Sequence, residues 1–247
     1  MCKKVLGPII SLWLVVAPQV AAAQILHVVS SATGTPSSGG SAYTFVQQNA
    51  GGGSTCMATS GTSVPCALPA NITAGHKLFV MWGAYPAGTD LVSATGCATA
   101  WTLGVTSGIN RRTSIWYCSS ASGGGNSITI TAPNACSGSG CLASLSEWSG
   151  GTATADQNNT SSGTASAPAA GSITTTGANE LILAVLRDAD VGTLVSGPSS
   201  SFSALNTPSS SDNVEFAYRL TTSTGTYSTG WTLAASAAYD VAIASFK

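Results

Sequence analysis

Apolar residues in this chain come in short runs set apart by clusters of Gly, Ser, Thr and Asn. Three of the runs have informative patterns. In "VEFAYRL" (214–220), Val214, Phe216, Tyr218 and Leu220 alternate with Glu215 and Arg219, the period of a strand with one face on a core and one in water. "LILAVL" (181–186) is apolar at every position, which puts it in the middle of a sheet covered on both faces. In "TYSTGWTL" (226–233), Tyr227, Thr229, Trp231 and Leu233 share a face. Antiparallel strands stacked as two sheets satisfy all three patterns. The expected fold is all-β: an antiparallel two-sheet β-sandwich, jelly-roll-like or immunoglobulin-like.

Run length and turn punctuation predict strands at Tyr43–Gln48, His76–Gly83, Trp101–Thr106, Thr113–Cys118, Ser127–Thr131 and Leu142–Trp148. The second half adds Glu180–Leu186, Val214–Leu220, Thr226–Leu233 and Tyr239–Phe246, and Leu26–Val29 is a further candidate. The polar stretch 150–172 reads as a connection crossing from one sheet to the other. No fixed-period repeat is visible.

The first residues follow a different pattern. Lys3 and Lys4 precede the apolar stretch Val5–Val16, and "VAAAQ" (20–24) places small residues for cleavage before Gln24. The stretch contains Pro8 and falls short of the roughly 20 residues that a bilayer span needs. The expected organisation is a signal peptide over 1–23, a flexible lead-in over 24–42 and a single sandwich domain over 43–247. The product is then secreted, extracellular or periplasmic, with no membrane span after cleavage.

Charge is scarce, at 7% of residues. Without residues 1–23 the chain keeps six basic and nine acidic side chains, and Arg111–Arg112 is its only basic cluster. Such a field does not neutralise a run of phosphates, which excludes nucleic acid as a partner. The same segment leaves six cysteines, Cys56, Cys66, Cys97, Cys118, Cys136 and Cys141. An even number in an exported chain points to disulfides. Sequential pairing, 56–66, 97–118 and 136–141, is the expected pattern, and "CSGSGC" (136–141) reads as a loop staple, since metal and redox motifs favour two intervening residues.

Four segments carry a resemblance: "SEWSG" (146–150), "GSITTTGANELILAV" (171–185), "TGTYSTGWTL" (224–233) and "AYDVAIASFK" (238–247). Together they resemble secreted and phage-associated bacterial β-sandwich modules that read E-[YW]-S-G, then T-T-x-x-N-E-L, then a last strand ending in Phe-Lys. The likeness covers about residues 75–247. It implies a display or binding role, and its motifs are structural rather than catalytic. The six cysteines and the segment before residue 43 depart from it.

Candidate chemistry is thin. "VLRDAD" (185–190) is the densest knot of charge, expected to emerge as a solvated strand end with an Arg–Asp pair. Asp188 and Asp190 are also the candidate ligands for a structural Ca²⁺, although two carboxylates are few for a cation that takes six to eight oxygens. Glu147 lies in an apolar strand beside Trp148, where burial would raise its pKa as a general acid requires. A hydrolase would pair it with a second carboxylate, from Glu180, Asp188 or Asp190. No G-x-S-x-G elbow is present, and the only histidines are His27 and His76.

Aromatic residues make the case for binding. About four of Trp82, Tyr85, Trp101, Trp116, Trp148 and Trp231 are expected to fill the space between sheets, leaving Tyr85 and Trp116 as surface candidates for stacking on sugar rings. The candidate ligand-binding set is Tyr85, Trp116, Glu147, Trp148, Asp188 and Asp190. The favoured function is a secreted, non-catalytic module that binds a polysaccharide or cell-surface glycan. The alternatives are a self-associating subunit of an extracellular layer, fibre or appendage, and a carbohydrate-active hydrolase using Glu147.

Overall fold

Strands form where the apolar runs predict them. In the computed structural model the described residues are 42–49, 56–84, 93–108, 112–132, 134–136, 140–189, 194–205 and 214–247. The signal segment 1–23, the lead-in up to residue 41, the candidate strand 26–29, Tyr85 and Asp190 lie outside them. The first half of the described chain carries β1 (Thr44–Gln48), β2 (Met57–Ala58), β3 (Ser63–Ala67), β4 (Lys77–Ala84), β5 (Ser93–Ala94), β6 (Thr102–Ser107), β7 (Arg112–Cys118), β8 (Ser127–Thr131) and β9 (Cys141–Ser149). The second half carries β10 (Ala155–Ala165), β11 (Ile173–Thr174), β12 (Leu181–Asp188), β13 (Leu194–Ser196), β14 (Ser203–Ala204), β15 (Val214–Leu220), β16 (Thr226–Tyr227), β17 (Thr232–Leu233) and β18 (Ala237–Phe246). No helix among the described residues is long and apolar enough to cross a membrane.

Two predictions are corrected. The segment 226–233 is not one strand but two short ones, although Thr229, Trp231 and Leu233 are all buried together. The polar stretch 150–172 does cross between sheets, yet it also contains the longest strand, β10. As an edge strand, β10 leaves most of its side chains exposed or half-exposed, so Ser, Thr and Asn suffice and no apolar alternation marks it.

The front sheet has the order β1-β9-β4-β7-β6, with β2 also pairing β9; the back sheet has the order β10-β18-β12-β15-β14. These are the same order. Each half places its first strand at an edge beside its last, and its long apolar strand (β4 or β12) in the centre. The registers correspond as well: Lys77 and Met81 of β4 lie opposite Trp148 and Ile115, as Leu181 and Val185 of β12 lie opposite Phe246 and Phe216. The chain is therefore a topological repeat, packed sheet on sheet. Only apolarity recurs in the central strands, "LFVMW" (78–82) against "ILAVL" (182–186), which is why no period is visible in the sequence.

Packing produces three cores. Phe79, Met81, Ile115, Trp148, Leu183, Val185, Phe216 and Phe246 fill the space between the two sheets. On the outer face of the front sheet, a flap of order β3-β8-β5 covers Leu78, Val80 and Trp82. On the outer face of the back sheet, the short ladders β11–β16 and β13–β17 cover Ile182, Ala184 and Leu186. So β12 is buried on both faces, as its all-apolar pattern requires. The second face of β15 is not wet as alternation suggests: Glu215 and Ala217 are buried under the back flap, although Leu220 is exposed.

The disulfides are Cys56–Cys66, Cys97–Cys118 and Cys136–Cys141, the sequential pairing. All three lie in the first half, where Cys66 of β3, Cys118 of β7 and Cys141 of β9 join the front flap and its loops to the front sheet. The back flap has none.

Candidate binding site

Glu147, the leading acid of the sequence reading, is a loop clamp. It sits on β9 opposite Gln47 and Leu78, fully buried. Its Oε1 accepts the Thr73 backbone N–H at 2.9 Å and the His76 Nδ1–H at 2.7 Å. Its Oε2 accepts Gln47 Nε2–H, and Gln47 in turn exchanges two hydrogen bonds with the backbone of Ala70. Burial pushes the Glu147 carboxyl up, but the donors from Gln47, Thr73 and His76 outweigh it and hold the pKa below the ordinary carboxylate value. The expected rise is therefore reversed, because a strand interior that supplies donors stabilises the anion. Glu147 fastens the loop that enters β4.

Glu180 does similar work in the second half. It is buried, and its Oε1 accepts the Gly177 N–H at 2.7 Å while its own N–H reaches Thr221 Oγ1 at 3.0 Å. Burial raises its pKa, with the negative charge of Asp156 adding to the effect. Asp156 opposes burial with better partners: Lys247 Nζ at 2.6 Å, and the hydroxyl and N–H of Thr176 at 2.6 and 2.8 Å. These hold Asp156 down to about 2. The N-E-L and Phe-Lys segments of the resemblance thus meet in one network that anchors the residues entering β12 and leaving β18.

"VLRDAD" is not a solvated strand end. β12 runs on to Asp188, and both Arg187 and Asp188 are buried. Arg187 faces the inter-sheet core opposite Asp240, and its Nη2–H points to Gly140 O at 3.4 Å. Asp188 turns to the other face, under the back flap, near Glu215. Burial first, and then the charge of Asp188, push the Glu215 carboxyl up to about 7. No group of three or more His, Cys, Asp or Glu residues fit for a metal is present among the described residues.

The aromatic candidates divide. Trp148, offered as a ligand contact, is fully buried, edge-on to Phe45, Tyr43 and Tyr218 in the inter-sheet core. It cannot stack on a sugar from there. Trp82 and Trp231 are also buried, and Trp101 is half-buried. Trp116 is half-buried on the front core, with its Nε1–H donated to Ser114 Oγ at 3.0 Å.

A concave feature among the described residues lies elsewhere, in the back flap. A cleft of about 420 Å³ is lined by Ala167, Pro168 and Ala169, by Ser196–Ser199, and by Gly230, Trp231 and Thr232. Ser196 of β13 and Thr232 of β17 place it beside the β13–β17 ladder. That volume falls within the range of small-ligand sites. One wall is built without slack. Gly197 has φ +144°, and a Cβ there would lie 2.4 Å from Trp231 Cδ1, so only glycine lets the chain lie against the indole edge. Ser199 N–H donates to Gly230 O at 2.9 Å, Gly230 N–H returns to Ser199 Oγ at 2.9 Å, and Thr229 Oγ1–H donates to Ser199 O at 3.1 Å. Beyond it Ser200 and Ser201 are both left-handed, at φ 60° and 63°, a strained pair for residues with side chains. Arg219 Nη1–H, donated to Ser200 O at 2.7 Å, helps hold them there.

Sequence reasoning placed Trp231 on a buried face but did not find this cleft. Its three walls come from segments about 30 residues apart that only strand pairing brings together. The one local signal is "SGPSSS" (196–201), a Gly-Pro followed by serines. The lining is uncharged throughout: apolar carbons, hydroxyls and backbone groups, with no acid, base or nucleophile–base pair. No family model, no curated protein and no solved structure matches this chain.

Proposed function

We propose that this protein is an exported, non-catalytic module that binds a polysaccharide or cell-surface glycan in the back-flap cleft. The carrying observation is the cleft itself, a concavity in which prolines and an indole edge stand among serine and threonine hydroxyls. That mixture suits a sugar, which presents apolar C–H faces ringed by hydroxyls. Catalysis has no comparable support. Glu147 is ionised and occupied by three partners, and Glu180 and Asp156 serve as anchors. Export is supported by the leader-like start of the sequence and by three disulfides, which persist in oxidising compartments. The resemblance to secreted bacterial modules points the same way.

The test is a glycan array followed by affinity electrophoresis, using Ala167→Trp to fill the cleft. Ala167 is exposed in the structure, so the variant should keep its melting temperature. Retention of the natural protein on at least one glycan, lost at least tenfold in the variant, is the expected result. Equal retention of both would remove the cleft from the account.

A second reading, self-association in an extracellular layer or fibre, is favoured by β10. Its 11 residues form a long sheet edge without proline, in which Asp156 is the only charge, paired with Lys247, and Ser, Thr and Asn predominate where charges and prolines usually guard such edges. Native mass spectrometry finding only monomer at high concentration would remove it.

A further inference from the structure

Next to the cleft wall, held to the backbone of Ser200, stands a cation, Arg219, with no anionic partner among the described residues. Arg219 projects from β15 toward the back flap, and its guanidinium carbon lies 4.7 Å above the centre of the Tyr227 ring. The ring is fixed in turn, since Tyr227 Oη–H donates to Ser223 O at 2.9 Å. Among the described residues no carboxylate lies within ion-pair distance of Arg219. The other described cations are engaged elsewhere: Lys247 on Asp156, Lys77 on Gly75 O, Arg112 on Thr106 Oγ1, and Arg187 opposite Asp240.

Its one hydrogen bond among the described residues goes to Ser200 O, next in sequence to Ser199 of the cleft wall. A guanidinium has five N–H donors in one plane, and stacking on a ring leaves that plane's edge open. Among the described residues four donors remain after Ser200, on a guanidinium held by the Tyr227 ring and by the Ser200 carbonyl. This is the geometry that receives a planar, two-oxygen acceptor. The cleft lining contains no acid to repel such a group.

Resting on the cleft reading above, we infer that the ligand is an acidic glycan and that Arg219 receives the carboxylate of a uronic acid residue while the adjoining sugar occupies the cleft. Sulfated sugars carry an anion too, but a tetrahedral one that does not match the flat fork as a carboxylate does.

The experiment titrates the full-length mature protein by calorimetry with oligogalacturonate, with the same oligomer as its methyl ester, and with dextran sulfate. Arg219→Gln, Arg219→Lys and Tyr227→Leu are compared, each first checked for an unchanged melting temperature. The free acid should bind at least tenfold more tightly than the ester. Arg219→Gln should abolish that gap, Arg219→Lys should keep only part of it, and Tyr227→Leu should narrow it. Should Arg219→Gln lower the melting temperature, Tyr227→Leu and the acid–ester comparison in the natural protein decide the matter. Equal binding of acid and ester, an Arg219→Gln variant that binds the acid normally, or tighter binding of dextran sulfate would each overturn the inference. If neutral glycans bind in the cleft and oligogalacturonate does not, the inference fails while the cleft reading stands. If nothing binds and Ala167→Trp changes nothing, both fail.

Discussion

Trp148 and Phe246 hold the same place in the two halves of the chain: each lies at the end of the last strand of its half or one residue before it, opposite the first residue of the central strand, and each points into the space between the sheets. Phe246 packs edge-on against Phe79 of the opposing sheet with ring centres 4.8 Å apart, and Trp148 meets Tyr218 of its opposing sheet at 5.4 Å. The two halves therefore stabilise each other through large side chains at matched positions. Phe246→Ala should cost about 3–5 kcal/mol in urea unfolding. A cost under about 1 kcal/mol would mean that the inter-sheet core does not hold the halves together.

Elsewhere the halves differ, and the disulfides mark the difference. Each bridge is worth roughly 2–4 kcal/mol, and all three staple the front flap. Mild reduction should raise hydrogen exchange in residues 63–67, 93–98 and 127–132 and leave 166–174 and 226–233 nearly unchanged. Uniform loss of protection across both flaps would contradict this division.

Glu215 makes stability depend on pH. Its pKa is near 7 when folded and at the ordinary 4.5 when unfolded. Between those values the unfolded chain gives up the proton and the folded chain keeps it, so stability falls as pH rises. Glu215→Gln should match the natural protein at pH 4 and exceed it by about 3 kcal/mol at pH 8. An advantage that does not grow with pH would show that the carboxyl is not held protonated.

Glu147 acts with the opposite sign. Its pKa is depressed, so its contribution is present above the ordinary carboxylate pKa and is lost as pH falls through the lowered folded value. Glu147→Gln should destabilise the protein at neutral pH by about 1–3 kcal/mol, through donors left without their anion. It should leave glycan binding unchanged. A variant of natural stability would refute the clamp.

What the sequence shows and what it hides follow from the physics of each segment. Period-two alternation and runs of β-branched and aromatic residues mark strands that bury a face, and so β8 and β15 match their predicted bounds while β4, β9 and β12 agree within two residues. β10 escapes because an edge strand needs no apolar face. The charged end of β12 misleads because charge is read as exposure, whereas Arg187 is buried opposite Asp240 and Asp188 lies beneath a flap that no local pattern announces. The clamp role of Glu147 and Glu180 was legible as a fold role, since both fall in structural motifs; the sign of the Glu147 shift was not, because it depends on Gln47, 100 residues away. The cleft is hidden for the same reason.

The most direct check is a ¹⁵N-resolved NMR titration of the mature protein with whichever glycan it retains. Movement concentrated in the Trp231 indole N–H and the amides of Ser199, Gly230 and Thr232, with the Glu147–His76 region silent, is the predicted result. Shifts centred on Glu147 and His76, or spread over the front flap, would contradict a binding site in the unstapled half.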